Sequence, residues 1–261
     1  MKRVFIILLF LLFPVIFSFS QGEIDNEEKI FFRNERSVGI HLNSNGYGVN
    51  FRFGRRVNAF KKRLIGLDFV GVKHPKETKE QNQYFNNSKR FVYGKDNAFF
   101  VLRGGLGYQK EIFSKSDKGG IAIRYFYLVG PSAGILKHMY YEILEPTGNP
   151  YEYYIKIEEF DKDKHSINDI FGKASFLEGL DEISLVPGGF FKCGFNFEYS
   201  QQDDLIRALE VGAMFEAYPK KIPIMATKSN NQFFITLFLT LRFGKVISGR
   251  YKADSILNPD D

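Results

Sequence analysis

The stretch Phe233-Phe234-Ile235-Thr236-Leu237-Phe238-Leu239-Thr240-Leu241-Arg242-Phe243-Gly244 decides the fold class. Read two residues at a time, Phe233, Ile235, Leu237, Leu239, Leu241 and Phe243 fall on one face, and Thr236, Phe238, Thr240, Arg242 and Gly244 on the other. Successive side chains of a strand point to opposite faces, so this pattern predicts a long strand with two unlike surfaces. The same contrast returns on moving toward the N-terminus. Leu209, Val211, Ala213, Phe215 and Ala217 oppose Glu210, Gly212, Met214 and Glu216, and Phe191, Cys193, Phe195, Phe197 and Tyr199 oppose Lys192, Gly194, Asn196 and Glu198. Nearer the start, Val38, Ile40 and Leu42 lead into Asn43-Ser44-Asn45-Gly46, which has hairpin chemistry. The return strand sets Tyr47, Val49, Phe51 and Phe53 against Gly48, Asn50, Arg52 and Gly54.

Three more strands follow the rule. Ile65, Leu67 and Phe69 oppose Gly66 and Asp68; Phe100, Leu102, Leu106 and Tyr108 oppose Arg103, Gly105 and Gly107; Ile121, Ile123, Tyr125, Tyr127 and Val129 oppose Ala122 and Arg124. A less regular strand runs from Ser132 to Leu144 after Gly130-Pro131, read as a turn. That makes nine, several of them reaching the roughly 9–11 residues of a tilted membrane strand. A closed antiparallel barrel with both ends on one side needs an even number, and Tyr84–Tyr93, ended by Gly94-Lys95-Asp96-Asn97, supplies a tenth. Connections near 56–62, 94–97, 130–131 and 200–203 are then short, and those at 73–83, 111–118, 145–187 and 218–231 are longer. The expected fold is all-β: an antiparallel up-and-down transmembrane barrel of about ten strands, or eight if the first hairpin is peripheral, with a short helix in the longest outer loop.

The residues before the barrel are of another kind. Lys2 and Arg3, the apolar run Val4–Phe17 and the small residues Ser18 and Ser20 before Gln21 read as an export signal over 1–20. Fourteen apolar residues are too few for a spanning helix, which needs roughly 20. Residues 21–35 then form an N-terminal periplasmic segment, 36–244 the barrel and 245–261 a polar tail. Losing Lys2 and Arg3 takes the formal charge from +6 to +4, too mild a balance to point to nucleic acid. Cys193 is the one cysteine, which excludes an internal disulfide framework and clustered-thiolate metal sites.

Alternation alone does not say which face is outside, because a soluble lipid-carrying barrel also alternates. Here the polar face is rich in Gly with isolated charges, as suits a crowded lumen, whereas a solvated face is dense in Lys and Glu. Tyr47, Tyr108, Tyr125, Tyr127 and Tyr199 fall near strand ends, where a membrane barrel carries its aromatic girdle. With the polar face inside, Arg52, Arg103, Arg124, Lys192 and Arg242 share the lumen with Asp68, Glu198, Glu210 and Glu216. Unpaired charge there is costly, so this near-balance predicts an ion-pair network filling a narrow barrel.

The signal ending Phe17-Ser18-Phe19-Ser20-Gln21, the aromatic-rich alternating strands and the terminal run 233–244 together resemble the small outer-membrane β-barrel proteins of Bacteroidetes-type bacteria. The resemblance covers roughly residues 35–245 and implies barrel fold and outer-membrane location. It implies little about chemistry, since such families are mostly without an assigned reaction. The tail 245–261 departs from barrels that stop at a terminal aromatic residue.

Residues 145–187 form the longest connection and the expected working surface. Tyr151, Tyr153 and Tyr154 open it, ten acids stand against four lysines, and Asn168 caps an expected helix through Ile183 with Ile170, Phe171, Ala174 and Leu177 on one face. Such a surface docks a partner or folds over the barrel mouth. Asp161-Lys162-Asp163 lacks the glycine and distal Glu of a calcium loop. His41, His74, His138 and His165 sit in no nucleophile or metal motif, and Gly104-Gly105-Leu106-Gly107 does not precede a helix and so is no phosphate loop. By parity with Leu136 and Tyr140, His138 is expected at the lipid face near the outer rim. The expectation is a non-enzymatic accessory or scaffold subunit without cofactor or metal. Its expected contacts are outer-membrane lipid and other outer-membrane or cell-surface proteins. A small-solute channel and a lipid-acting enzyme are the alternatives.

Overall fold

The structure, a computed structural model, describes residues 33–248 apart from 86, 117–118, 148–151, 203 and 228. The export-signal reading of 1–20 and most of the tail therefore lie outside the described residues. Eleven strands follow in chain order: β1 (Arg33–Asn43), β2 (Gly46–Arg56), β3 (Lys61–Val72), β4 (Asn97–Phe113), β5 (Ala122–His138), β6 (Tyr140–Pro146), β7 (Tyr153–Glu159), β8 (Ile170–Lys173), β9 (Ser184–Glu198), β10 (Leu205–Ala217) and β11 (Phe233–Ser248). Eight of them close an antiparallel barrel in the order β1-β11-β10-β9-β5-β4-β3-β2, and β7-β6-β8 make a separate three-stranded sheet. Strand bounds differ slightly from the expected barrel edges of 36 and 244, since β1 opens at Arg33 and β11 runs to Ser248.

The barrel has eight strands, not ten, and the first hairpin belongs to it: β1 pairs with β2 from Glu35↔Gly54 to Asn43↔Gly46. Two readings account for the difference. The described residues of 84–93 form no strand, only the isolated bridge Glu80↔Phe91. Gly130-Pro131 is no turn either, because β5 runs straight through it. Pro131 has no N–H for a ladder, and the pairing with β4 stops at Arg103↔Ser132 and resumes at Leu106↔Val129 in the same register. Gly104 and Gly105 face this gap, so a single interruption replaces what reads as a strand boundary. On the other side the ladder to β9 continues through Pro131↔Gly189.

With eight strands the connections sort into two rims. The rim that carries β1's start and β11's end has the connections 57–60, 114–121 and 199–204, so the segment near 111–118 belongs with the short side. The opposite rim, termed the outer rim, has the two-residue turn 44–45 and the segments 73–96, 139–183 and 218–232. The expected helix over 168–183 is absent: Ile170–Lys173 is strand β8, and Gly179 at φ 74 lies in the turns that follow. A β-branched residue, an aromatic and Gly172 in succession favour an extended segment, and tertiary pairing with β6 fixes it.

Every predicted polar-face residue points into the barrel, and the lumen is packed in layers. Leu64, Phe126, Leu128, Phe190, Met214 and Phe238 make an apolar layer within it. Gly66 and Gly105 leave room for these side chains. A Cβ on Gly105 would lie 2.7 Å from the Phe190 ring, closer than packed atoms approach. The outer mouth is closed by the 218–232 segment, whose Tyr218, Ile222, Ile224 and Met225 pack on Val70, Val72, Phe99, Val101, Leu136 and Val186.

Candidate functional site

The lumen holds all nine charges singled out in the sequence, each in an ion pair. Glu210, fully buried on β10, accepts two parallel hydrogen bonds from Arg242 at 3.0 Å and one from Arg52 Nη1 at 2.5 Å. Asn196 Nδ2 adds a fourth at 2.8 Å. Arg242 extends the network to Ser37 Oγ at 3.0 Å and to the Asn50 side-chain oxygen. Asn50 in turn donates to Asp68, which receives Lys192 Nζ at 2.8 Å. Further toward the outer mouth, Arg103 grips Glu216 through two bonds at 3.0 Å, and the Tyr218 hydroxyl donates to the same carboxylate at 2.9 Å. Toward the other rim, Arg124 bridges Glu198 and Glu111.

Charge and ring alternate between the layers. The Arg52 guanidinium lies 4.5 Å above the Phe126 ring and Lys192 Nζ 4.7 Å above Phe238. Period-two reading missed Glu35, Lys62, Glu111 and Lys115, which join the network near strand ends, where the sequence alternation fades. The signal for Lys62 was present, two residues before Leu64 on the inward parity. His41 holds Thr240 Oγ1 at 2.6 Å beside the Phe238 ring, a contact within the lumen. The cavity bounded by Arg124, Glu198, Asn196 and Gln109 is about 10 Å³, room for at most about one water.

The outward face of the same strands is apolar and exposed. Val38, Ile40 and Leu42 on β1, Phe51 on β2, Leu67 and Phe69 on β3, and Ile235, Leu237 and Phe243 on β11 are each between 44% and 78% exposed. Tyr125 and Tyr127 on β5 and Tyr199 beyond β9 stand toward the rim of the termini, and Tyr47 on β2 toward the outer rim.

Beyond the outer rim, the 74–96 and 139–183 segments make one subdomain around Phe91, Met139, Tyr141, Ile143, Phe160 and Ile170. Tyr141 ties the two together by donating to the Val92 carbonyl at 2.8 Å, and Asn82 donates to the Asn168 and Ile170 carbonyls. Burial pushes the Tyr141 phenol up, and burial with the nearby Glu159 raises the Asp96 carboxyl to about 6. Of the expected loop surface, Tyr153 and Phe171 both meet the Phe85 ring, from β7 and β8, while Tyr151 lies outside the described residues. Tyr154 donates to Glu145, and Leu177 is 71% exposed in the turns after β8. The helix face expected to join Phe171 to Leu177 does not exist.

β7 is the edge of its sheet, and Tyr153, Tyr154, Ile155 and Ile157 along it are all exposed. His138 is not on the outward apolar face of the barrel, where its parity in the sequence puts it. Because β5 runs unbroken through Pro131, Leu136 turns into the barrel, and His138 Nδ1 lies 2.5 Å from Glu159 within the outer subdomain.

No protein-family model and no curated protein matches the chain. Among solved structures it is similar to Ail, the attachment invasion locus protein of Yersinia pestis, at 10% identity and a TM-score of 0.42, over 83% of this chain and 99% of that one. Neisserial surface protein A is similar over 83% and 96%, at 8% identity and a TM-score of 0.37. The N-terminal β-barrel domain of Pseudomonas aeruginosa OprF is similar over 81% and 97%, at 7% identity and a TM-score of 0.32.

Proposed function

We propose that the protein is an outer-membrane barrel, sealed to solutes, that works as a non-enzymatic accessory or scaffold subunit by presenting its outer subdomain. The observation that carries this reading is the polarity of the wall: apolar side chains cover the outside of the eight strands, and paired charges fill the inside. A soluble ligand-carrying barrel has the reverse arrangement. Exposed apolar area of this extent is covered in the working protein, and a closed barrel is one of only two backbone arrangements that satisfy their hydrogen bonds in hydrocarbon. The rim with short turns then lies on the periplasmic side and the subdomain on the outer side.

A paired lumen and an outer mouth packed with Tyr218, Ile222 and Ile224 favour this reading over a channel. His138, held by Glu159 in the subdomain, has no lipid-facing position from which to act as a base. Among the described residues no strand pairs with the free edge of β7, which is flanked by exposed Tyr and Ile, the kind of surface that an extended segment of another protein joins by strand addition.

The test compares the chain with its Ile155→Lys/Ile157→Lys variant, each recovered from host membranes under mild detergent. The reading expects defined outer-membrane or surface proteins to accompany the native chain and to be lost from the variant, while both migrate faster unboiled than boiled. The same companions in both, or none with the native chain, would count against the scaffold role. Absence of the mobility change would count against the barrel in the membrane.

A further inference from the structure

The turns after β8 lie against the barrel wall, and a recess opens there at the outer boundary of the apolar belt. Phe176 meets Phe100 edge to face at 6.2 Å, and Phe100 stacks on Phe69 at 6.0 Å with the rings 4° from parallel. These rings form an apolar track from the wall of β3 and β4 up to the subdomain. At its upper end the recess is lined by Lys73, Lys95 and Lys173 together with Tyr47. Three separate parts of the chain deliver the lysines: the residue following β3, the approach to β4 and the end of β8.

Two of the three lysines carry no compensating carboxylate among the described residues. Lys95 holds Glu77 at 2.8 Å. Among the described residues, neither Lys73 nor Lys173 has a carboxylate within ion-pair distance. Lys73 Nζ instead lies 5.6 Å from the Tyr47 ring centre, and Phe176 has Lys173 Nζ at 6.0 Å and Lys137 Nζ at 5.1 Å. Partial burial and, after it, the Lys95 charge hold the Lys173 ammonium below its ordinary value. Lys137, buried beneath, is engaged by the Glu178 and His138 carbonyls and adds to the positive field.

We propose that this recess binds a phospholipid of net negative headgroup charge, its phosphate between Lys73, Lys95 and Lys173 and an acyl chain along Phe69, Phe100 and Phe176. The site has the polarity of an amphiphile: ammonium donors where a headgroup lies, aromatic rings where hydrocarbon begins. It rests on the membrane reading above and names the lipid class that the wall selects. A headgroup without net charge gains nothing from the lysines, so the site separates phosphatidic acid from phosphatidylcholine by charge, not by chain.

The experiment reconstitutes the full chain into phosphatidylcholine vesicles with and without a minor fraction of phosphatidic acid. Lipid retained on the protein is then counted by native mass spectrometry after detergent release. The native chain should retain phosphatidic acid preferentially, and raising the salt should erode that preference. Lys73→Gln/Lys173→Gln should lower it on the order of tenfold, with unboiled mobility unchanged. Lys220→Gln, an exposed lysine elsewhere on the outer rim, should leave it intact. An inserted native chain with no preference, a preference indifferent to salt, or one equal in the double variant would overturn the site while leaving the barrel standing. Failure of the native chain to insert would overturn both.

Discussion

Glu210 takes the charge of two guanidinium groups at a position with no exposed surface, so its removal strands both. Glu210→Ala should destabilise the barrel by about 3–5 kcal/mol, the cost of an uncompensated buried charge, measured by urea unfolding in detergent micelles. Arg103 and Glu216 test the same physics from the other side. Either single truncation leaves a buried charge, whereas Arg103→Met with Glu216→Leu removes both, so the double variant should be more stable than either single one. Gly105 marks the packing limit: Gly105→Val forces side-chain carbon into the Phe190 ring and should lower the unfolding midpoint, while a change at Gly104, with nothing within 4 Å of an added Cβ, should not. At this scale the sequence was largely readable, because inward parity along a strand identifies luminal residues wherever the strand is regular. It could not say which carboxylate meets which guanidinium. Glu210 lies 158 positions from Arg52, and only closure of the barrel brings them together.

Among the elements, the outer subdomain carries the pH-sensitive group. Asp96 links three segments: its carbonyl accepts from Met139 N at 2.9 Å, and its amide donates to the Ile224 carbonyl. Its folded value of about 6 is above the roughly 3.9 of an unfolded chain. The protonated form is therefore favoured by folding; the stability it contributes is fully present below about pH 4 and lost as pH rises through about 6. Hydrogen exchange at Met139, corrected for intrinsic rate, should show protection falling between pH 4 and 7, and Asp96→Asn should flatten that dependence. The elements themselves were legible in proportion to how far their pairing is written locally. β1 with β2 and β9 with β10 join through short turns and keep a clean alternation. β5 did not read as one strand, since Gly-Pro ordinarily ends one, and what carries it through is the unbroken ladder to β9, a partner about sixty residues later. β6, β7 and β8 were illegible as a sheet because each is short and none shows a clean buried–exposed alternation, and Ile170, Ala174 and Leu177 happen to share a helical spacing.

For the molecule as a whole, the filled lumen and the plugged outer mouth predict a barrel that inserts but does not conduct. Planar bilayers containing the native chain should show no stable openings, and steps of defined amplitude would contradict the packed interior. The central claim is the inside-out wall, and β11 tests it residue by residue. In a Cys193→Ser background, single cysteines at each position from 235 to 243 would carry a nitroxide label in phosphatidylcholine vesicles. Collision with oxygen, which concentrates in hydrocarbon, would then be measured against collision with a water-soluble nickel chelate. A two-residue period is the predicted result, with oxygen accessibility high at Ile235, Leu237, Leu239, Leu241 and Phe243 and low to both agents at Thr236, Phe238, Thr240 and Arg242. Chelate accessibility at Leu237, Leu239 and Leu241, without oxygen enrichment, would contradict it and place the apolar face in water or against another protein.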